Sequence, residues 1–390
     1  MVHAPDGKRW VGVGTSSDPD AHRAGTDAAR AALIGDDAAV LLAFASDDLD
    51  LEAFAAALVA VAGDVPVVGC STAGEIGPVG VSDGAAVVVA LGGPGFRVRT
   101  ALARDASRDL RGAGAAVTAA ARPVDGEHRA VILLSDGLAG DQQEVVRGAY
   151  SEAGALIPLV GGCAGDEMRM QRTRQIYGAE VLTDAVIAVG LTSDALIGVA
   201  AQHGWQRVGE PMLVTAADAN HVLELDGRPA LDVYVERLGV PSTMAEDPTA
   251  FAGFALTHPL GLDRRGGEEV RFIAGGDLAD RSLRCIAEVP VGALVHLMEG
   301  DAVSVLGATD AACADAVAAL GGDDPLGLVV FDCVARRAVL VGDGIDREMR
   351  SIESHAKGAP VAGFYTYGEI ARSVGIKGFH NQTLVVLAVA

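Results

Sequence analysis

Two short stretches of this 390-residue sequence place hydroxyls, a thiol, phenols and carboxylates close together. One is Gly69-Cys-Ser-Thr-Ala-Gly-Glu-Ile76 and the other is Gly363-Phe-Tyr-Thr-Tyr-Gly-Glu-Ile370. Glycines let backbone amides approach a bound group. Ser and Thr donate or accept, and a carboxylate can fix an ammonium or an amide. Aromatics are only 4% of the chain, so Phe364, Tyr365 and Tyr367 around Thr366 suit the wall of a small-molecule pocket. The candidate ligand-binding set is therefore Cys70, Ser71, Thr72, Gly74, Glu75, Tyr365, Thr366, Tyr367, Gly368 and Glu369. The competing account is that the glycines serve tight turns and the carboxylates cap neighbouring elements.

The known catalytic patterns are missing. Gly69–Gly74 lacks the glycine spacing of a nucleophile elbow. Gly12-Val-Gly14 lacks the third glycine and the preceding strand of a dinucleotide fingerprint, and there is no Walker loop. The histidines show no metal-binding spacing, and the five cysteines, Cys70, Cys163, Cys285, Cys313 and Cys333, show no C-x-x-C. No catalytic and no metal residues are assigned. A hydrolase or transferase reading survives only through Cys70 or Ser71 activated by a distant histidine. A lone His203, His258 or His380 could ligate a haem iron.

The elements that position these residues follow from a repeat. Pro66–Ile76, Pro158–Asp166 and Pro360–Ile370 share Pro, two small apolar residues and Gly, then Gly and a carboxylate. An apolar run precedes each copy, at Ala39–Ala45, Ala130–Leu134 and Leu328–Phe331. Without clean alternation these read as strands buried on both faces. Helical stripes come next, led by Leu51, Phe54, Leu58 and Val61, then by Asp141 as a cap with Glu144, then by Ile345, Met349, Ile352 and Ala356. Further strands follow at Ala85–Leu91, Ala185–Leu191 and Thr383–Val389. The unit is strand, helix, loop, strand, which predicts an α/β (α+β) protein of mixed sheets with packed helices.

Between the second and third copies, strands are expected at Ala195–Ala201, Met212–Thr215, Val270–Ile273, Leu283–Val289 and Ala293–Leu297. Helices are expected at Pro229–Leu238 and Asp310–Leu320, and loops at Pro241–Pro248 and Gly261–Glu269. A boundary near residue 215 divides the chain into domains of 1–215 and 216–390.

Thirty basic against fifty-two acidic residues give a net charge of −22, which argues against nucleic-acid and membrane partners. The N-terminal ten residues lack the apolar segment of a signal peptide, and no apolar run is long enough to span a bilayer. An odd number of scattered cysteines fits a reducing compartment. The expected location is cytoplasmic.

Gly69–Ile76 resembles the hallmark of the FIST N-terminal region. Gly363–Ile370 with Phe379-His-Asn-Gln-Thr383 resembles that of the FIST C-terminal region, supported by Gly227–Tyr234 and Cys333-Val-Ala-Arg336. The resemblance covers residue 36 onward. It implies a sensory module for small ligands such as amino acids, found in prokaryotic signalling proteins and some F-box proteins. Some members bind haem and sense nitric oxide. No kinase, cyclase or chemoreceptor segment accompanies the FIST regions, so the implied signal passes to a separate protein partner, with a homo-oligomer left open.

Overall fold

The computed structural model of the chain describes residues 7–124, 126–264, 267–372 and 378–390. The repeat appears as three units. The first runs β1 (Trp10–Ser16), α1 (Ala21–Ala32), β2 (Ala38–Ser46), α2 (Leu51–Ala62), β3 (Val67–Thr72), β4 (Glu75–Gly77), β5 (Gly80–Ser82) and β6 (Ala86–Gly92). The second repeats this order as β7 (Arg97–Arg104), α3 (Leu110–Ala120), β8 (His128–Ser135), α4 (Gln142–Ala153), β9 (Leu159–Cys163), β10 (Gln175–Tyr177), β11 (Glu180–Leu182) and β12 (Ala185–Ser193).

The third unit opens with β13 (Ile197–Gln202) and is then interrupted by a module at 206–299. That module contains β14 (Gln206–Asp218), β15 (His221–Leu225), β16 (Arg228–Pro229), α5 (Ala230–Arg237), α6 (Pro248–Leu256), β17 (Leu260–Arg264), β18 (Gly267–Arg271), β19 (Ile273–Asp277), β20 (Ser282–Cys285) and β21 (Leu294–Glu299). The unit resumes with α7 (Ala302–Ala318), β22 (Gly327–Cys333), α8 (Val334–Val339), α9 (Gly344–Ala356), β23 (Val361–Thr366), β24 (Glu369–Arg372), β25 (Phe379–His380) and β26 (Leu384–Val389).

Three sheets repeat one order: β1-β6-β2-β3, β7-β12-β8-β9 and β13-β26-β22-β23, in each of which the last two strands run parallel. Each is extended by a hairpin from a different unit. β10 and β11 add to β3, β24 and β25 add to β9, and β4 and β5 add to β23. The exchange closes a ring, so no unit completes its sheet alone. With the inserted sheet, the fold is mixed α/β, with four sheets and nine α-helices among the described residues.

Strand composition explains this packing. In β2, Val40, Leu42 and Phe44 point into a core shared with Ile132, Leu134, Phe331 and Phe364 of the other units. Leu41, Ala43 and Ala45 point outward under α1 and α2. Phe44, Phe331 and Phe364 meet with ring centroids 4.6–6.4 Å apart, and full burial of each ring stabilises the fold by about 2–3 kcal/mol. The P-x-x-G glycines do one job in all three copies. A Cβ on Gly69, Gly161 or Gly363 would lie 1.9, 2.0 or 1.9 Å from a carbonyl oxygen of the neighbouring parallel strand.

Several elements differ from expectation. Gly12 and Gly14 lie inside β1, where they let α1 press on the strand: a Cβ on either would sit 2.0 Å from a helix carbonyl. Of the loop expected at Gly261–Glu269, residues 261–264 and 267–269 belong to the antiparallel pair β17 and β18, and 265–266 lie outside the described residues. Val270 and Ile273 fall on separate strands, and the helix expected at Asp310–Leu320 begins earlier, at Ala302, capped by Asp301. At α4, Asp141 accepts from the Gln143 amide, while Glu144 reaches forward to Arg147 instead of back to the cap. Residue 215 lies within β14, a strand of the inserted module. Among the described residues no helix is long and apolar enough to cross a membrane.

Candidate functional site

The motif loops of the three units meet at the axis of the ring. Ala73 N donates to Tyr365 O (2.9 Å), Tyr367 N to Cys163 O (3.2 Å) and Gly165 N to Ser71 O (3.0 Å). This cycle makes Ser71, Cys163 and Tyr365 equivalent, and likewise Ala73, Gly165 and Tyr367. The loops turn at Gly74 and Gly368, whose φ values of +123° and +159° strain any other residue.

In the first and third copies the carboxylate holds the strand that follows. The Thr72 hydroxyl donates to Glu75 Oε1, and Ala85 N, at the foot of β6, donates to Oε2 (3.1 Å). The Thr366 hydroxyl donates to Glu369 Oε1 (2.5 Å), and Thr383 N, at the foot of β26, donates to Oε2 (3.2 Å). Both glutamates are fully buried, and loss of solvent pushes each up to about 8 against the opposing pull of those donors.

The second copy corrects the sequence alignment. Glu75 pairs with Phe364, Glu369 with Gly162 and Gln175 with Cys70, and each partner directly follows a P-x-x-G glycine. Gln175, not Asp166, therefore occupies the glutamate position. Asp166 matches Gly74 and Gly368 and opens an insertion spanning 167–174. It mimicked the motif because Gly165-Asp166 reproduces Gly-carboxylate in sequence alone.

Asp166 organises that insertion. Its carboxylate accepts from the amides of Met170 (2.9 Å), Gln171 (2.7 Å) and Arg172 (3.0 Å), and from the Tyr367 hydroxyl. Burial raises its pKa, but these donors outweigh it and hold the group below the usual range. Met168 N donates to the Tyr367 oxygen (2.7 Å). Glu167, Met168 and Met170 all have positive φ (+55°, +66°, +53°), and Met168 and Met170 are 59% and 50% exposed. Strain and exposed methionines together mark a site rather than a core.

These residues edge a cleft of about 1030 Å³. Ala73, Met168, Met170 and Tyr367 come from the loops at the axis, Leu138 and Asp141 from the second unit, and Val334, Arg337, Leu340 and Ile345 from the third. Asn220, Leu256, Phe272, Ile286 and Glu288 of the inserted module close the far side. Arg271 and Gln382 join that module to the ring, Arg271 donating to Phe379 O (3.4 Å) and Gln382 to Leu256 O (2.6 Å). Arg337 grips Asp83 through both nitrogens (2.6 and 2.8 Å), donates to Ala73 O (3.2 Å) and covers the Tyr365 ring at 5.0 Å. Burial and the neighbouring Glu288 raise the Asp141 carboxyl above its usual value.

Of the ten residues singled out in the sequence, Tyr367 alone lines this cleft. Cys70, Ser71, Thr72, Glu75, Tyr365, Thr366 and Glu369 are buried beneath it, and Gly74 and Gly368 shape the turns. The two motif loops do come together: Ala73 N donates to Tyr365 O and Tyr365 N donates to Gly74 O. Sequence reasoning missed Arg337, Asn381, Met168 and Met170. Two methionines flanking one arginine, in a chain with seven, were the available signal.

Neither alternative chemistry finds its groups here. Cys70 is fully buried, and burial with nearby Cys163 raises its thiol pKa far above the usual value. Ser71 Oγ donates to Gly165 O (2.7 Å) and accepts from Arg174 N (2.9 Å). Among the described residues no histidine lines the cleft. His203 Nδ1 accepts from Trp205 N, the buried His380 ring contacts Ala371 O, and His258 stacks on Phe254. Burial also pushes His203 down to about 4 and raises the Cys333 thiol. These residues do not fit a haem.

A ring of three α/β units with a ligand-sized cleft at its axis is the class of protein this architecture defines. Residues 39–228 match the FIST N domain and residues 230–372 the FIST C domain, and the chain belongs to the FIST family. FIST domains are regarded as small-ligand sensory and signalling domains, and FIST is not a known enzyme family. The chain is 30% identical over 231 residues to the uncharacterized protein Rv0628c of Mycobacterium tuberculosis, a match covering 58% of this chain and 59% of that protein. It is 29% identical over 228 residues to the uncharacterized protein Mb0898c of Mycobacterium bovis, covering 58% of each. An archaeal relative, the uncharacterized protein MJ1623 of Methanocaldococcus jannaschii, is 29% identical over 158 residues, covering 37% of this chain and 30% of that protein. The chain thus spans less than two thirds of these relatives.

Proposed function

We propose that this protein is a cytoplasmic sensor that takes up a small molecule in the axial cleft and passes the signal to a separate protein. The observation that carries this reading is the cleft itself. Its wall is mostly apolar with a few convergent polar groups, the usual character of a small-molecule site. It is also lined by all three units and the inserted module, so an occupant touches every part of the ring at once. An occupant could therefore shift how these parts sit against one another, provided it binds one arrangement better than another. The buried, unpaired state of all five cysteines supports a reducing compartment.

The test is mass spectrometry of small molecules released from the purified, denatured protein. Ala338 lies exposed on α8 and lines the cleft, so Ala338→Trp fills the space without disturbing the core. The wild type is expected to release a bound molecule that the variant lacks. Equal recovery from both proteins would remove the cleft as the site.

A further inference from the structure

The most unusual polar group in the cleft is one the motifs do not use. Asn381 lies between β25 and β26, lines the cleft and is 2% exposed. Its Oδ1 is buried and has no hydrogen-bond partner among the described residues. A buried amide oxygen left without a donor is destabilising, and no described residue relieves it. Two adjacent backbone carbonyls are engaged: the Thr383 hydroxyl donates to Asn381 O (3.0 Å) and Trp205 Nε1 to Gln382 O (3.1 Å). The backbone that carries the side chain is therefore tied down, while its amide oxygen has no donor among the described residues.

The charges around it narrow the occupant. Asp83, Asp141, Glu167 and Glu288 line the wall; Arg337, the one cation lining it among the described residues, is already bound to Asp83 through both nitrogens, and Glu167 and Glu288 pair with Arg169 and Arg147. Among the described residues an anionic head group would meet carboxylates and find no free cation lining the cleft, whereas an N–H donor would find an acceptor. The remaining wall, including Leu138, Phe272, Ile286, Val334, Leu340 and Ile345, is apolar. At about 1030 Å³ the space sits at the upper end of the range that holds drug-sized ligands, well beyond what one free amino acid fills.

We infer that the cleft selects an apolar molecule bearing an amide or amine in place of a carboxylate, and that Asn381 reads its N–H donor. This inference rests on the cleft being the ligand site. It names the head-group chemistry and the residue that recognises it.

The test measures binding of three matched fluorescent probes, naphthalene-acetamide, naphthyl-ethylamine and naphthalene-acetate, to the whole chain. Amide and amine are expected to bind about tenfold more tightly than the acetate. Asn381→Leu should bring the amide down to the level of the acetate while leaving the acetate unchanged. Its thermal midpoint should not fall, because it replaces an unpartnered polar group by an apolar one of similar size. Asn381→Asp, a second variant, should widen the preference for the amine over the acetate. Equal binding of amide and acetate by the wild type, or one ranking kept in both variants, overturns the role of Asn381 and leaves the cleft as a site. No binding of any probe, or binding undiminished in Ala338→Trp, overturns the inference and the ligand-site reading together.

Discussion

The first and third motif copies stand at equivalent positions around the ring with the second, yet the three do not do the same work. Glu75 and Glu369 each join a threonine hydroxyl to the foot of the next strand, and both are buried. In the second copy Thr is replaced by Ala164 and Glu by Gln175, and the strand foot is held from another side, by Asp136 Oδ2 accepting from Asp184 N (2.7 Å). The insertion that displaces the motif carries Met168 and Met170 to the cleft. The glutamates of the two symmetric copies build scaffold, while the copy that broke the pattern adds the exposed methionines to the wall. Repetition in sequence therefore marks structure here, and departure from it marks the site.

The comparison is broken most directly by removing the carboxylates. Glu369→Ala strands a buried hydroxyl and a buried amide and leaves a void, so it should cost about 3–5 kcal/mol in denaturant unfolding. Asp166→Ala should cost less, about 1–3 kcal/mol, with lost hydrogen-exchange protection confined to residues 167–172. Equal costs with global loss of protection in both would mean that the second copy is scaffold too.

Titration gives the next effect. Glu75 and Glu369, raised by burial to about 8, keep their protons in the folded chain at pH values where the unfolded chain, near the ordinary 4.5, has lost them. Stability should therefore fall as pH rises from about 4.5 to about 8 and level off above that. The Glu75→Gln, Glu369→Gln pair holds the neutral form, so it should flatten this slope and exceed the wild type by several kcal/mol at pH 8. A slope unchanged in the double variant would show that these carboxyls titrate normally.

Much of the scaffold was legible because burial writes itself into sequence. Val40-Leu-Leu-Ala-Phe44 and its counterparts are apolar on both faces since they separate a shared core from flanking helices. The P-x-x-G glycines repeat because each sits against a neighbouring carbonyl. The exchanged hairpins were not legible: β4 and β5 have three residues each, too short for any periodicity. Nor was β1: Gly12-Val-Gly14 fails the dinucleotide fingerprint, and nothing in its spacing points to a strand pressed by a helix. The site was least legible. Tyr367, Arg337, Met168, Asn381 and Phe272 carry no common spacing, and only ring closure and the docked module bring them together. Asn381 even stood inside a recognised segment, Phe379–Thr383, without a partner in sequence to show that its oxygen would be left free.

The smallest effect tests the broken copy itself. Gln175 sits where its counterparts have Glu75 and Glu369, fully buried, with no hydrogen-bond partner for either end of its amide among the described residues. Ala164 offers no hydroxyl where Thr72 and Thr366 do. An unpartnered amide contributes only its desolvation cost, so Gln175→Leu, which keeps the volume, should be neutral or raise stability by about 1 kcal/mol. Gln175→Glu alone should lose stability, because a buried carboxyl arrives without its donor. Adding Ala164→Thr to it should recover part of that loss, a favourable coupling of about 1 kcal/mol in a double-mutant cycle. Such coupling would mean that the second copy lacks only the two side chains of the clamp and keeps its geometry. If instead Gln175→Leu destabilised by more than about 1 kcal/mol, its amide would hold a bridging partner, and the second copy would be a third clamp in different chemistry.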